Sequence, residues 1–179
     1  FINTVDASCF GYDDGEVEIS ISGGSNNQDY ELLLDGLSTG NTGAISSNPF
    51  VINNLIAGEY TVVIIDDQCE NIQSNFVIGE PDDISIQLDP LSFIDLTCFG
   101  DSDGSLNIEI TGGTPDLNNN YTYIWSTVGG SIPIGTENDQ DLNNLIAGEY
   151  TVTVTDSNNC IGTETYNISE PDEFTVSYT

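Results

Sequence analysis

The chain has 179 residues, 30 of them Asp or Glu, and no Lys, Arg, His or Met, for a formal charge of −30. Such a surface excludes nucleic-acid binding, which draws its affinity from cationic side chains on phosphate, and it is repelled by anionic lipid. The 37% hydrophobic content suits two modest domains better than one large core, and the regular alternation of Val, Ile, Leu and Tyr argues for folded structure despite the one-sided charge.

The N-terminal segment FINTVDASC (1–9) reads as a strand ending at Cys9. CFGYDDG (9–15) is a turn-rich loop, and in EVEISIS (16–22) Val17, Ile19 and Ile21 alternate with polar residues, the period-two pattern of a strand with one wet face. Gly23-Gly24 ends it. Tyr30 to Leu34 gives the next strand, then a polar loop of Ser, Thr, Asn and Gly. PFVI (49–52) leads to a corner, 59–66 is the longest apolar strand, Cys69 sits just past it, and a strand near 72–78 precedes Glu80-Pro81.

The same plan then recurs. NNLIAGEYTV occupies both 53–62 and 143–152, a spacing of 90 (143 − 53), and CFGDSDG (98–104) matches CFGYDDG. Leu106, Ile108 and Ile110 match Val17, Ile19 and Ile21; YTYIW (121–125) matches YELLL; Cys160 matches Cys69; Glu170-Pro171 matches Glu80-Pro81. No segment carries a helical period with caps. About seven short strands per unit define an all-β chain of tandem immunoglobulin-like β-sandwich repeats. Leu-x-Ala-Gly-x-Tyr leading into an alternating strand marks a tyrosine corner, with Tyr60 and Tyr150 returning their hydroxyls to backbone.

The phase expected is one repeat at 1–81, lacking its first strand, a second at 82–171, and at 172–179 the first strand of a following repeat, since FTVSY (174–178) follows its Glu-Pro as ISIQL (84–88) follows the first. The other phase, in which each such strand closes the preceding sandwich, stays open. The absence of a start Met, signal peptide or transmembrane run fits an internal piece of a longer chain. Matching positions favour the disulfides Cys9–Cys69 and Cys98–Cys160, one per repeat. Each would close a loop of about 60 residues, worth about 4 kcal/mol, and place the protein in an oxidising, extracellular setting.

No His or Lys is present for nucleophile–base pairs, and acids placed in turns do not make a catalytic cleft, so the chain is read as non-enzymatic. Calcium is the candidate cofactor. With the bridges above, Asp14 would approach Asp66, and Asp103 would approach Asp156, with Asp13, Asp67, Asp101 and Asn158 nearby. Glu80, Asp82 and Asp83 beside Pro81, matched by Glu170, Asp172 and Glu173, form a second candidate set at the linker. The competing reading is plain turn chemistry and solvated acids. Tyr121, Tyr123 and Trp125 share one face of a strand; this is either a sugar-stacking platform or, as the Leu32 and Leu34 counterparts favour, core. The missing cations fit either a weakly self-associating secreted surface or protection from trypsin-like proteases.

Taken in order, CFGxxDG, a Gly-Gly turn, YTYIW, NLIAGEYTVTVTD, a Cys and an Ile-x-Glu-Pro close resemble the SprB-type repeat of very large cell-surface adhesins in gliding bacteria of the Bacteroidetes. The resemblance covers both units; Leu34 stands where the second unit has Trp125. It implies a secreted surface filament, exported by the type IX system and engaged with neighbouring repeats, the gliding machinery or surface polysaccharide, with no membrane insertion. A carbohydrate-binding module is the alternative.

Overall fold

A computed structural model describes residues 1–25, 27–89 and 94–177. The chain divides into two compact units, Phe1–Pro81 and Asp82–Thr179, each built only of strands among the described residues.

In the first unit, β1 (Ile2–Val5), β2 (Gly15–Ile19) and β5 (Phe50–Leu55) form one antiparallel sheet. The other holds β3 (Gln28–Leu34), β4 (Leu37–Ala44), β6 (Gly58–Asp66) and β7 (Ile72–Ile78) in the order β4-β3-β6-β7. Strand β6 shows why the sandwich closes. Its sequence GEYTVVIID buries Tyr60, Val62 and Ile64 and leaves the intervening residues toward the outer face, the inward–outward alternation of a pleated strand between two neighbours. Those three meet Val17, Ile19, Leu32, Phe50, Ile52, Leu55, Phe76 and Ile78 in one core. Tyr60 and Phe76 are direct cross-strand partners and stack at 5.3 Å between ring centroids.

One expectation is corrected here. The polar stretch after Leu34, read as a loop, is the eight-residue strand β4. It lies at the edge of its sheet, with most residues exposed and both faces wet, so no apolar alternation marks it.

The second unit repeats the plan with β8 (Ser85–Leu88), β9 (Gly104–Leu106), β10 (Ile108–Thr111), β11 (Thr122–Val128), β12 (Leu142–Leu145), β13 (Gly148–Thr155) and β14 (Ile161–Ile168). β8 pairs β10, β12 pairs β9, and the remaining sheet runs β11-β13-β14. Leu106, Ile108, Trp125, Leu142, Leu145, Tyr150, Val152, Val154 and Ile168 are all buried. Residues 129–141 form no strand, so the second unit has no counterpart of β4 among the described residues. Residues 174–177 form no strand; Tyr178 and Thr179, the end of that expected strand, lie outside the described residues.

The shared NNLIAGEY stretch builds the corner in both units. Asn54 and Asn144 take positive φ, 60° and 57°, a conformation Asn tolerates better than branched residues. They sit where the pairing of β5 with β2, and of β12 with β9, shifts register. A side chain at Gly148 would meet the Gly130 backbone at 2.3 Å, which accounts for the glycine there; at Gly58 it would meet the end of the Leu34 side chain at 2.5 Å.

Candidate functional site

Each unit has two ends, and the acidic residues wire both to backbone. At the end where β7 finishes, the turn after β1 is tied down by four contacts: Ala7 N–H donates to Gly79 O at 2.9 Å, Gly79 N–H to Asp6 Oδ1 at 2.7 Å, Gly11 N–H to Glu80 Oε2 at 2.6 Å, and Ser8 N–H to Asp14 Oδ1 at 2.9 Å. The Ser8 hydroxyl bonds the other Asp14 oxygen, and these two Ser8 bonds hold the Asp14 carboxyl below its usual pKa. The second unit repeats the set. Leu96 N–H meets Ser169 O at 3.0 Å, Ser169 N–H meets Asp95 Oδ1 at 2.7 Å, and Gly100 N–H meets Glu170 Oε2 at 2.8 Å. Thr97 donates from N to Asp103 Oδ1 at 3.3 Å and from its hydroxyl to Oδ2 at 2.6 Å, and the hydroxyl bond leads in lowering the Asp103 pKa.

At the opposite end one aspartate closes each long strand. Asp66 accepts Ser25 N–H at 2.7 Å on Oδ2 and the N–H groups of Gln68 and Cys69, both at 3.0 Å, on Oδ1. The Gln68 and Ser25 bonds drive its pKa well below the carboxylate range. Asp156, buried, likewise accepts the N–H groups of Thr114 at 2.7 Å on Oδ2 and of Asn158 at 2.8 Å and Cys160 at 2.9 Å on Oδ1.

These two ends overturn two expectations. Asp66 is the last residue of β6, while Gly58, the first, pairs with Ile78 beside Gly79 and Glu80. Nine residues of strand separate the ends, about 25 Å at the rise of a β-strand. Asp14 and Asp66 therefore do not converge, nor do Asp103 and Asp156. The same distance defeats the expected bridges Cys9–Cys69 and Cys98–Cys160, because a disulfide needs Cα atoms within about 7 Å. Cys69 and Cys98 are free and exposed. Nearby Asp66 raises the Cys69 thiol pKa, with burial and Asp67 adding to it. Matching positions in two copies gave no information about which end each cysteine occupies.

Of the remaining candidates, Asp101 Oδ2 accepts from the Thr97 hydroxyl at 3.2 Å and Asp67 Oδ1 from the Ser25 hydroxyl at 2.8 Å. Glu80 and Glu170 are each engaged inside their own unit, as above. Asp13 and Asp172 lie exposed, and Asp82 contributes its backbone oxygen to Gly113 N–H at 2.7 Å. Among the described residues no group of three or more His, Cys, Asp or Glu side chains is placed to hold a metal ion. Sequence reasoning missed Asp6, Asp95, Ser8 and Thr97; their recurrence at matching positions was the available signal.

The corner tyrosines take their expected places. The Tyr60 hydroxyl donates to Ile56 O and the Tyr150 hydroxyl to Ile146 O, both at 2.9 Å, and both residues are buried. Burial raises the Tyr60 pKa. Trp125 is only 4% exposed, with Nε1 donating to Asp139 O at 2.9 Å. It is core and offers no face to a sugar ring.

Two antiparallel sandwiches, each with a tyrosine corner and matching end contacts, define a tandem immunoglobulin-like repeat protein. The SprB repeat family's model matches a stretch in each unit, at residues 2–36 and 92–130. No curated protein matches the chain. Among solved structures, a 282-residue C-terminal fragment of intimin, in complex with the translocated intimin receptor's intimin-binding domain, is 15% identical, with a TM-score of 0.38 over 96% of this chain. The chain spans 64% of that fragment's length. The fibronectin(III)-like modules of Clostridium thermocellum CbhA are 8% identical, with a TM-score of 0.36 over 99% of this chain and 100% of that one. Amphioxus IgVJ-C2 is 13% identical, with a TM-score of 0.32 over 86% and 94%.

Proposed function

We propose that the chain is a non-catalytic structural segment of a long, secreted cell-surface adhesin filament serving adhesion and gliding motility. The observation that carries this reading is the duplication of end contacts. Glu80 on Gly11 and Glu170 on Gly100, Asp6 on Gly79 and Asp95 on Ser169, are the same devices in both units. Duplicated contacts that fix the ends of a sandwich serve a link in a series, and the SprB repeat match supports the surface-filament class. Its partners are neighbouring repeats and the gliding machinery, with export through the type IX route. Stiffness of each link comes from carboxylates bonded to backbone, Asp66 and Asp156 foremost. The burial of Trp125 speaks against the carbohydrate-binding alternative.

Antibody raised against the chain and applied to intact cells that produce it tests the reading. Label on unpermeabilised cells that travels along the cell body is the expected result. Label that reaches its target only after permeabilisation would contradict it.

A further inference from the structure

The outer faces of the two units differ where their sequences part. After the shared NNLIAGEYTV, the first unit continues VIID (63–66) and the second TVTD (153–156). The inward positions stay apolar and buried, Val62 and Ile64 in one copy, Val152 and Val154 in the other. The outward positions change chemistry: Val63 and Ile65 stand where the second unit has Thr153 and Thr155. Strand β13 therefore presents Thr151, Thr153 and Thr155 on one face. Directly opposite them lie Ser126, Ile124 and Thr122 on β11, and Thr165, Thr163 and Ile161 on β14. All of these are exposed or half-exposed. None carries a charge, in a chain where 30 of 179 residues are acidic. The matching face of the first unit sets Glu31 and Asp29 opposite Val63 and Ile65. Thr suits any wet strand, but that preference accounts neither for the missing charge nor for the regular placing of one small group.

The grid has two spacings. Neighbouring strands place residues about 4.8 Å apart, and alternate residues along a strand recur about every 6.7 Å. β-Branching leaves Thr few rotamers, and two contacts pin the hydroxyls further. Thr151 and Thr165 share a hydrogen bond between their Oγ1 atoms at 2.9 Å, and the Thr122 hydroxyl donates to Thr155 O at 3.2 Å. Each hydroxyl both donates and accepts, so the face offers stiff, repeated water-binding groups set among methyls. We propose that this face of the second unit binds ice. Its repeats are on the scale of those between water oxygens at a surface of ordinary ice, and because crystalline water excludes ions, a charge-free face is what joining it requires. Waters bridging adjacent hydroxyls become part of the advancing lattice and hold the protein to it. Other occupants fit less well. The grid holds no aromatic ring, amide or carboxylate of the kind that lines a sugar site, and a second copy of a chain of charge −30 is repelled. The inference rests on this face alone and not on the cell-surface reading.

Slow growth of ice from a dilute solution of the chain tests it, with protein measured in the ice and in the remaining liquid. Thr153→Glu puts a carboxylate at the centre of the grid, and Val63→Glu puts the same charge at the matching position of the first unit. Both positions are half-exposed, and an unchanged melting curve for each confirms that folding is intact. Thr153→Tyr, which keeps a strong strand former there, disturbs the grid by bulk should the glutamate unfold the unit. The expected result is capture of the parent chain and of Val63→Glu by the ice, with capture lost in Thr153→Glu and Thr153→Tyr. A parent chain left in the liquid, capture indifferent to the Thr153 substitutions, or capture lost equally in Val63→Glu would overturn the proposal. So would exclusion from ice accompanied by retention on microcrystalline cellulose, or by self-association that Thr153→Glu abolishes, since either would give the face a different occupant.

Discussion

Glu80 reaches back to Gly11, 69 residues earlier in the chain, and accepts its backbone N–H at 2.6 Å; Glu170 does the same to Gly100 at 2.8 Å. The contact joins the last residue before Pro81 to the turn after the first strand, so it fastens the chain at that end of the sandwich. Glu80→Ala should lower the stability of the first unit by about 0.5–1 kcal/mol, the scale of an exposed bond to a charged acceptor. Urea midpoints would register it, and Glu170→Ala should act on the second unit alone.

The corner tyrosines should differ in weight. Tyr60→Phe strands the Ile56 carbonyl, whereas Tyr150→Phe strands the Ile146 carbonyl and also the Ser131 N–H, which donates to the Tyr150 hydroxyl at 3.1 Å. Each lost bond, part-buried in the fold, costs about 0.5–1.5 kcal/mol. Tyr150→Phe is therefore expected to be the more damaging. Denaturant unfolding of the two variants side by side checks the order.

Asp66 gives the fold an acid limit. Its pKa is lowered in the folded state by the N–H groups of Gln68 and Ser25. Its contribution is therefore complete above the unfolded carboxylate value of about 4 and is lost as pH falls from there toward the folded value. Asp14, Asp103 and Asp116 are lowered as well. Against this, protonating a chain of charge −30 relieves self-repulsion. Stability should hold or rise as pH drops from 7 toward about 4, then fall. Asp66→Asn should flatten the fall in the first unit, as urea midpoints measured across that window would reveal.

Cys69 and Cys98, being exposed thiols, should react with a thiol reagent in the folded chain. Replacing either by Ser should change stability by no more than about 0.5 kcal/mol, as at other surface positions. A loss near the 4 kcal/mol scale of a loop-closing bridge would restore the pairing within each repeat.

Much of the sandwich was legible because it rests on local alternation. Val17, Ile19 and Ile21, or Tyr150, Val152 and Val154, announce their faces by period two, and NNLIAGEY names its own corner. Strand β4 was not legible, since an edge strand wet on both faces loses the apolar half of the pattern. The candidate sites were legible in composition but not in place. Asp14 and Asp66 look alike in sequence, each beside a turn and near a cysteine. Only the direction in which β6 runs reveals that a whole strand separates them, and that each carboxylate is already committed to backbone.

Pulling single chains from Phe1 to Thr179 at constant velocity, under reducing conditions, tests the link-by-link account most directly. Two separate unfolding events are predicted, each releasing about 25–30 nm of contour length for a repeat of some 80–90 residues. A single cooperative rupture, or featureless extension, would contradict the claim that the chain is a series of independently folded sandwiches.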